Sequence, residues 1–193
     1  MKELKFIHIT KNGGSSIEAI GLKNGIQWGM HHKEYGWRHR FFPLQPEDFK
    51  KRYDWFTVVR NPYSRVVSEF YCPWSSEHIN QGTLDVELFN ETIIYRIHQR
   101  FNSQGGNGDH WCEQYKYIDE NVLYILKFEN LQKEFNDLMK KYNLSMKLDM
   151  HQNKSTKIFS EKNLSTKTIE LINDVYDKDF RLFNYKKRNI ENN

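Results

Sequence analysis

Three short runs rich in β-branched, aromatic and other large apolar residues, near residues 5 to 9, 55 to 59 and 122 to 127, are separated by longer stretches whose apolar residues recur every three or four positions. Short runs rich in β-branched and aromatic side chains predict strands, and the longer spacing predicts helices between them. Strands alternating with helices predict an α/β chain whose central parallel sheet is covered on both faces. The run VLYILKF at 122 to 128 reads as a buried strand, and 129 to 141 as a helix that turns Leu131, Phe135, Leu138 and Met139 inward. Residues 85 to 101 carry Leu88, Phe89, Ile93, Ile94, Ile97 and Phe101 at helical spacing. The Gly-rich stretch SQGGNGDH at 103 to 110 ends that helix and is expected to move when no ligand is bound. Leu164 to Phe183 reads as one long helix with Ile169, Ile172, Val175, Tyr176 and Phe180 on one face.

Between the first helix and the second strand the periodicity fails. Gly21 to Gly29 breaks the pattern, and residues 30 to 53 are aromatic, histidine-rich and basic, with prolines at Pro43 and Pro46. This segment reads as a loop with short helical pieces, a natural place for substrate contacts. No repeat and no linker divides the chain, so residues 1 to 193 read as one domain.

Composition narrows the partners. Lys and Arg number 29 against 25 acidic residues, an excess of +4 that suits an anionic ligand but lacks the dense basic stripe of a nucleic-acid surface. There is no apolar run long enough to span a bilayer, and no charged segment leading into an apolar one at the N-terminus, so a cytoplasmic chain without anchor or secretion signal is expected. In that compartment Cys72 and Cys112 are expected to stay reduced. They lack the paired spacing of a zinc site, and His31 and His32 are adjacent rather than a helical turn apart, so no metal site is predicted.

The candidate chemistry lies at two strand-to-helix turns. Residues 6 to 18, FIHITKNGGSSIE, place a short strand before a Lys-Asn-Gly-Gly-Ser-Ser turn and a helix that begins at Ser15 or Ser16. Gly13 and Gly14 let backbone amides converge without Cβ obstruction, and the helix start adds unpaired N–H groups and the positive end of its dipole. Lys11 adds a full charge, and Ser15 and Ser16 add hydroxyl donors. The turn is not a Walker A loop, because its Lys precedes both glycines. His8, within the strand, reads as a packed residue.

The second turn is in residues 55 to 71, WFTVVRNPYSRVVSEFY. Phe56 to Val59 read as a buried strand, Asn61-Pro62 breaks it, and Pro62 starts a helix at no hydrogen-bonding cost. Arg60 thus falls at the carboxyl end of a strand, where open α/β sheets bind ligands. Ser68, eight positions on, lies about two turns into the helix on a face that can converge with Arg60. Arg65 reads as a surface charge beside a packed helix.

Together the two segments resemble the 5′-phosphosulfate and 3′-phosphate loops of sulfotransferases that use 3′-phosphoadenosine 5′-phosphosulfate (PAPS), above all the carbohydrate type. The resemblance continues through YILKFENLQKEF at 124 to 135, HQNKST at 151 to 156 and DVYDKDFRLFNY at 174 to 185. Where the family usually has Pro before the Lys and Thr after it, this chain has Thr10 and Asn12. The resemblance implies a three-layer α/β sandwich related to P-loop kinases, and transfer of a sulfuryl group from PAPS to an acceptor hydroxyl, with a carbohydrate as the expected acceptor. It implies that Lys11 stabilises the leaving 3′-phosphoadenosine 5′-phosphate. Lys11, Asn12, Gly13, Gly14, Ser15 and Ser16 would hold the 5′ phosphosulfate, and Arg60 and Ser68 the 3′ phosphate.

Transfer also needs a base near neutrality, a role that suits histidine. His31, His32, His39 and Glu34 precede the second turn, and similar carbohydrate enzymes carry a His about twenty residues before the 3′-phosphate Arg. His39, twenty-one positions before Arg60, matches that spacing. Trp111, after His110, reads either as a stacking surface for adenine or a sugar or as a loop anchor. Lys154 and Ser155 are further candidates for approaching the nucleotide. The competing readings are a nucleotide-dependent kinase on the same fold and a non-catalytic module that binds anionic glycans.

Overall fold

Three strands pair in parallel in the order β1-β2-β3: β1 (Leu4–Ile7), β2 (Asp54–Val59) and β3 (Val122–Lys127). This arrangement comes from a computed structural model, which describes residues 1–34, 41–72, 85–100, 110–149 and 157–190. Parallel neighbours cannot be joined by a tight turn, so helical crossovers separate them. Helix α1 (Gly14–Lys23) follows β1, and the single turn α2 (Glu47–Lys50) leads into β2. Helices α3 (Pro62–Phe70) and α4 (Val86–Gln99) lie between β2 and β3. After β3 come α5 (Leu131–Lys141), α6 (Thr166–Val175) and α7 (Asp177–Leu182).

Side chains alternate across a strand, and the two faces of the sheet meet different elements. Phe6, Phe56, Val58 and Leu126 pack with Ile17 of α1 and with Leu131 and Phe135 of α5. Trp28 closes this layer, edge-on to Phe56 at 5.2 Å, with its indole N–H donating to the Leu4 carbonyl at 2.8 Å. Each of these aromatic side chains contributes about 1.5–3 kcal/mol by leaving water. On the opposite face Ile7 and Trp55 meet Phe42 and Phe49, while Val59 meets Tyr117. A second apolar cluster joins α3, α4, α6 and α7 through Val66, Phe70, Phe89, Ile93, Ile172 and Phe180.

Three expectations change. The 122–128 run is an edge strand rather than a buried one: Leu123 and Ile125 are 56% and 42% exposed, so the sheet is covered on both faces at β1 and β2 but not along β3. The helix expected over 164 to 183 is two helices that part at Tyr176, whose ring is buried and whose hydroxyl donates to the Trp111 carbonyl at 2.7 Å. Apolar spacing runs through this break because Tyr176 and Phe180 face the same cluster. On α4, Leu88 faces solvent while Phe89, Ile93 and Ile97 are buried. The Gly-rich stretch lies outside the described residues except for His110. Among the described residues no helix is long and apolar enough to cross a membrane.

His32 packs against Phe49, Tyr53 and Trp55, and burial there, reinforced by Lys5, holds its imidazole below the ordinary value of 6.5. As pH falls the unfolded chain takes up this proton first. The stability His32 supports is therefore complete above pH 6.5 and lost progressively below it. Urea denaturation at several pH values should show a shallower acid limb in His32→Phe than in the parent.

Candidate functional site

The turn after β1 is held in a shape that few residues adopt unaided. Lys11 and Gly13 have positive φ, 57° and 82°, and a non-glycine residue in that region costs on the order of 1–2 kcal/mol. Gly14 opens α1 directly over His8: a Cβ there would lie 2.3 Å from the imidazole, so only glycine fits without displacing the ring. His8 is in turn fixed by its contact with the buried Glu18 carboxylate, Nδ1 to Oε1 2.9 Å, and the same oxygen accepts from the Met30 amide at 2.8 Å. His8 is thus the floor of the turn. Above it, Ser15 and Ser16 are exposed at the helix start, where the Gly14 and Ser15 amides have no intrahelical acceptor, the Ser16 amide donates to the Gly13 carbonyl at 3.1 Å, and no acidic side chain occupies the first turn.

The turn after β2 reaches the same place. Asn61 caps α3 by accepting from the Tyr63 amide at 3.0 Å, and Pro62 supplies the first helical position. Arg60, just before them, donates from Nη1 to the Lys11 carbonyl at 3.0 Å and from Nε to Ser64 Oγ at 2.9 Å. Its guanidinium lies 4.1 Å from the centre of the Phe128 ring, a cation–π contact that fixes its plane. Burial lowers its pKa, yet an arginine stays charged. Ser68 lies one turn beyond Ser64 and is buried, with no hydrogen-bond partner among the described residues. The serine that orients Arg60 is Ser64, which the sequence reading passed over.

Lys157 holds its ammonium 5.7 Å from the centre of the Tyr71 ring, and desolvation, then repulsion from Arg60 and Lys11, lowers its pKa. Lys11 has no hydrogen-bonded or ion-paired partner for its ammonium among the described residues. A groove lined by residues 128 to 133 borders this region, because Phe128 and Leu131 are also the nearest neighbours of Gly13. The region can take an anion, with a neutral or aromatic group lying against the groove.

Two buried side chains lock the turns together. Gln114, fully buried, accepts from the Arg60 amide and from Asn12 Nδ2, each at 2.8 Å, and donates from Nε2 to the Arg60 carbonyl at 2.8 Å. Its own backbone N–H is held by Asp179 at 2.8 Å. Asn12 also donates to the Val58 carbonyl at 2.7 Å, so its side chain braces the turn from within. Gln114→Ala leaves Asn12 and the Arg60 peptide without these partners and is expected to cost about 1–3 kcal/mol, read as a lower urea midpoint.

The other lock is Arg65. Expected on the surface, it is only 1% exposed and donates to the Thr10 carbonyl (3.2 Å), Thr10 Oγ1, the Cys112 carbonyl and the His110 carbonyl (2.8 Å each). Burial opposes its charge, but Glu69 together with Tyr176, Tyr117 and Asp179 outweighs this and raises its pKa. Sequence spacing gave no sign of it, since the acceptors are backbone groups remote along the chain.

The remaining candidates fall out unevenly. His39 lies outside the described residues, as do Lys154 and Ser155. His32 is packed as described above, His31 ends the short turn Gly29–His31, and Glu34 is paired with Arg52 at 2.8 Å. Trp111 is 4% exposed within the helical cluster, so the anchor reading holds and the stacking reading does not. The two cysteines are not joined in a disulfide, and Cys112 Sγ lies near the Arg100 carbonyl at 3.4 Å. Cys72 instead meets Glu69 and His110, a grouping that cysteine spacing could not reveal. Burial alone would lower the His110 pKa, but Cys72 and Glu69 outweigh it and raise it to about 9.

A family model described as "Sulfotransferase family" matches residues 6–186, which begin within β1 and include both turns, β2, β3 and α1 to α7. No curated protein matches the chain.

Proposed function

The chain belongs to the sulfotransferase family, and on that premise we propose that it moves the sulfuryl group of PAPS in line to an acceptor hydroxyl, with a carbohydrate as the acceptor class. The observation that carries this reading is the 3.0 Å bond from Arg60 to the Lys11 carbonyl, which makes one cationic region of two turns far apart in sequence. The residues fit the donor. Gly13 and Gly14 leave the amides open, Ser15 and Ser16 are exposed, and Lys11, Arg60 and Lys157 supply charge for two separate phosphate groups. A three-layer, P-loop-kinase-like sandwich is the form of the fold that belongs to this reading.

In this account the bound donor supplies a sulfuryl group whose bond to the phosphate oxygen breaks as its bond to the acceptor oxygen forms. Lys11 neutralises the charge that develops on the departing oxygen. The amides of Asn12 to Ser15 and the two serine hydroxyls orient the 5′ end. Arg60 and Ser68 hold the 3′ phosphate, with Ser64 keeping the guanidinium in place, and the groove along residues 128 to 133 gives room to the nucleoside. A base from the 30-to-53 segment, with His39 first among the candidates, takes the acceptor proton. Holding both reactants in line and meeting developing charge are the large contributions in this type of transfer.

The test is transfer of label from sulfur-35 PAPS across a panel of sugar, tyrosyl and small-metabolite hydroxyls. Label on carbohydrate acceptors is expected. ATP turnover without PAPS binding would favour a kinase, and polyanion binding with steep salt dependence but no affinity for 3′-phosphoadenosine 5′-phosphate would favour a binding module.

A further inference from the structure

Beside Arg65, three side chains that the transfer does not use bring different donor atoms together. Glu69 stands in the last turn of α3 and Cys72 one turn later, the Cys72 amide closing that turn on the Glu69 carbonyl at 2.8 Å. His110 arrives from much later in the chain, and its imidazole Nδ1 lies 2.9 Å from Glu69 Oε2 and 3.8 Å from Cys72 Sγ. One ligand atom from each residue lies within 4.8 Å of the others. We propose that Glu69, Cys72 and His110 form a site for one divalent ion of zinc type, which ties the end of α3 to the His110–Cys112 segment.

Geometry and donor chemistry both point this way. A tetrahedral zinc ion with bonds of roughly 2.0–2.3 Å sets its ligand atoms roughly 3.3–3.8 Å apart. The nitrogen–sulfur pair already meets that spacing, and the nitrogen–oxygen pair needs to open by only a few tenths of an ångström. A mixed sulfur, nitrogen and oxygen set selects zinc or cobalt over magnesium or calcium, which prefer oxygen alone. The surroundings orient the ligands. The His110 carbonyl is held by Arg65 Nη2 at 2.8 Å and Thr10 Oγ1 at 3.2 Å, which places the imidazole from its own backbone. Glu69 divides its oxygens: Oε1 faces Arg65 at 3.9 Å, and Oε2 faces the histidine. Such outer contacts are what keep metal ligands in position.

Glu69 and Cys72 are buried, while the His110 side chain is 27% exposed and gives the ion a way in. The position matters because Arg65 touches both the trio and the Thr10 backbone, so a bound ion stiffens the scaffold of the Lys11 turn without entering it. The three side chains leave the fourth tetrahedral position to water, and the proposal does not rest on the reading of the donor.

Cobalt reports on it directly. Titrating the metal-free, full-length protein with Co²⁺ should produce a thiolate-to-cobalt charge-transfer band that saturates at one equivalent and is displaced by Zn²⁺. Cys72→Ser should abolish the band, Cys112→Ser should keep it, and His110→Ala should weaken binding at least about tenfold. In the unmodified protein Zn²⁺ should raise the melting temperature and Mg²⁺ at the same concentration should not, a readout that needs no variant to fold. Absence of the band, a band that follows Cys112, or equal effects of the two ions on melting would overturn the proposal.

Discussion

Replacing Lys11 by Ala is expected to lower the rate of sulfuryl transfer about 10²–10³-fold, while binding of the product nucleotide changes far less. Removal of one group aimed at developing charge typically has an effect of this size. The ammonium has no partner among the described residues that it would have to leave, so its charge is available to the reacting oxygen. Its backbone sits at φ 57° and is fixed through its carbonyl by Arg60, which the substitution leaves untouched. The loss should therefore fall on kcat, because the charge that Lys11 meets is largest in the transition state. Single-turnover rates beside calorimetric titration separate the two effects. A Lys11→Ala protein that transfers at the parent rate removes Lys11 from the chemistry.

The second large effect is on stability. Arg65→Met keeps much of the side-chain volume but removes every donor, leaving the Thr10, Cys112 and His110 carbonyls without these bonds and the buried Glu69 with His110 as its remaining cationic neighbour. Breaking a buried charge arrangement of this kind costs about 3–5 kcal/mol. Urea denaturation should show the midpoint falling with the slope unchanged, the pattern of altered stability without altered compactness. A change below about 1 kcal/mol would mean that the guanidinium only fills space.

Much of the scaffold is legible in the sequence because it is encoded locally. Phe56 to Val59 form a β-branched and aromatic run and become the central strand, and the glycines at 13 and 14 announce a turn in which a Cβ at Gly14 would collide with His8. The exposure along β3 is not local: Leu123 and Ile125 are apolar yet face solvent, while β1, the other edge strand, is buried throughout, and only the elements packed on each face separate the two. Arg65 and Gln114 are illegible for a related reason, since each is defined by remote backbone groups that no spacing along the chain predicts. They also explain how the first turn tolerates its departures from the family pattern. Thr10 offers a hydroxyl that accepts from Arg65 and donates to the His110 carbonyl, and the Asn12 amide reaches two acceptors at once.

The central claim is that the two turns form one site for a nucleotide with phosphates at both its 3′ and 5′ positions. Calorimetry with 3′-phosphoadenosine 5′-phosphate and with 5′-AMP, on the parent protein and on Arg60→Ala, tests it most directly. The bisphosphate should bind the parent at least about 100-fold more tightly than 5′-AMP, as expected for a charge-assisted contact to a second phosphate, and Arg60→Ala should erase that preference. Equal affinities in the parent, or a preference that survives the loss of Arg60, would contradict the account.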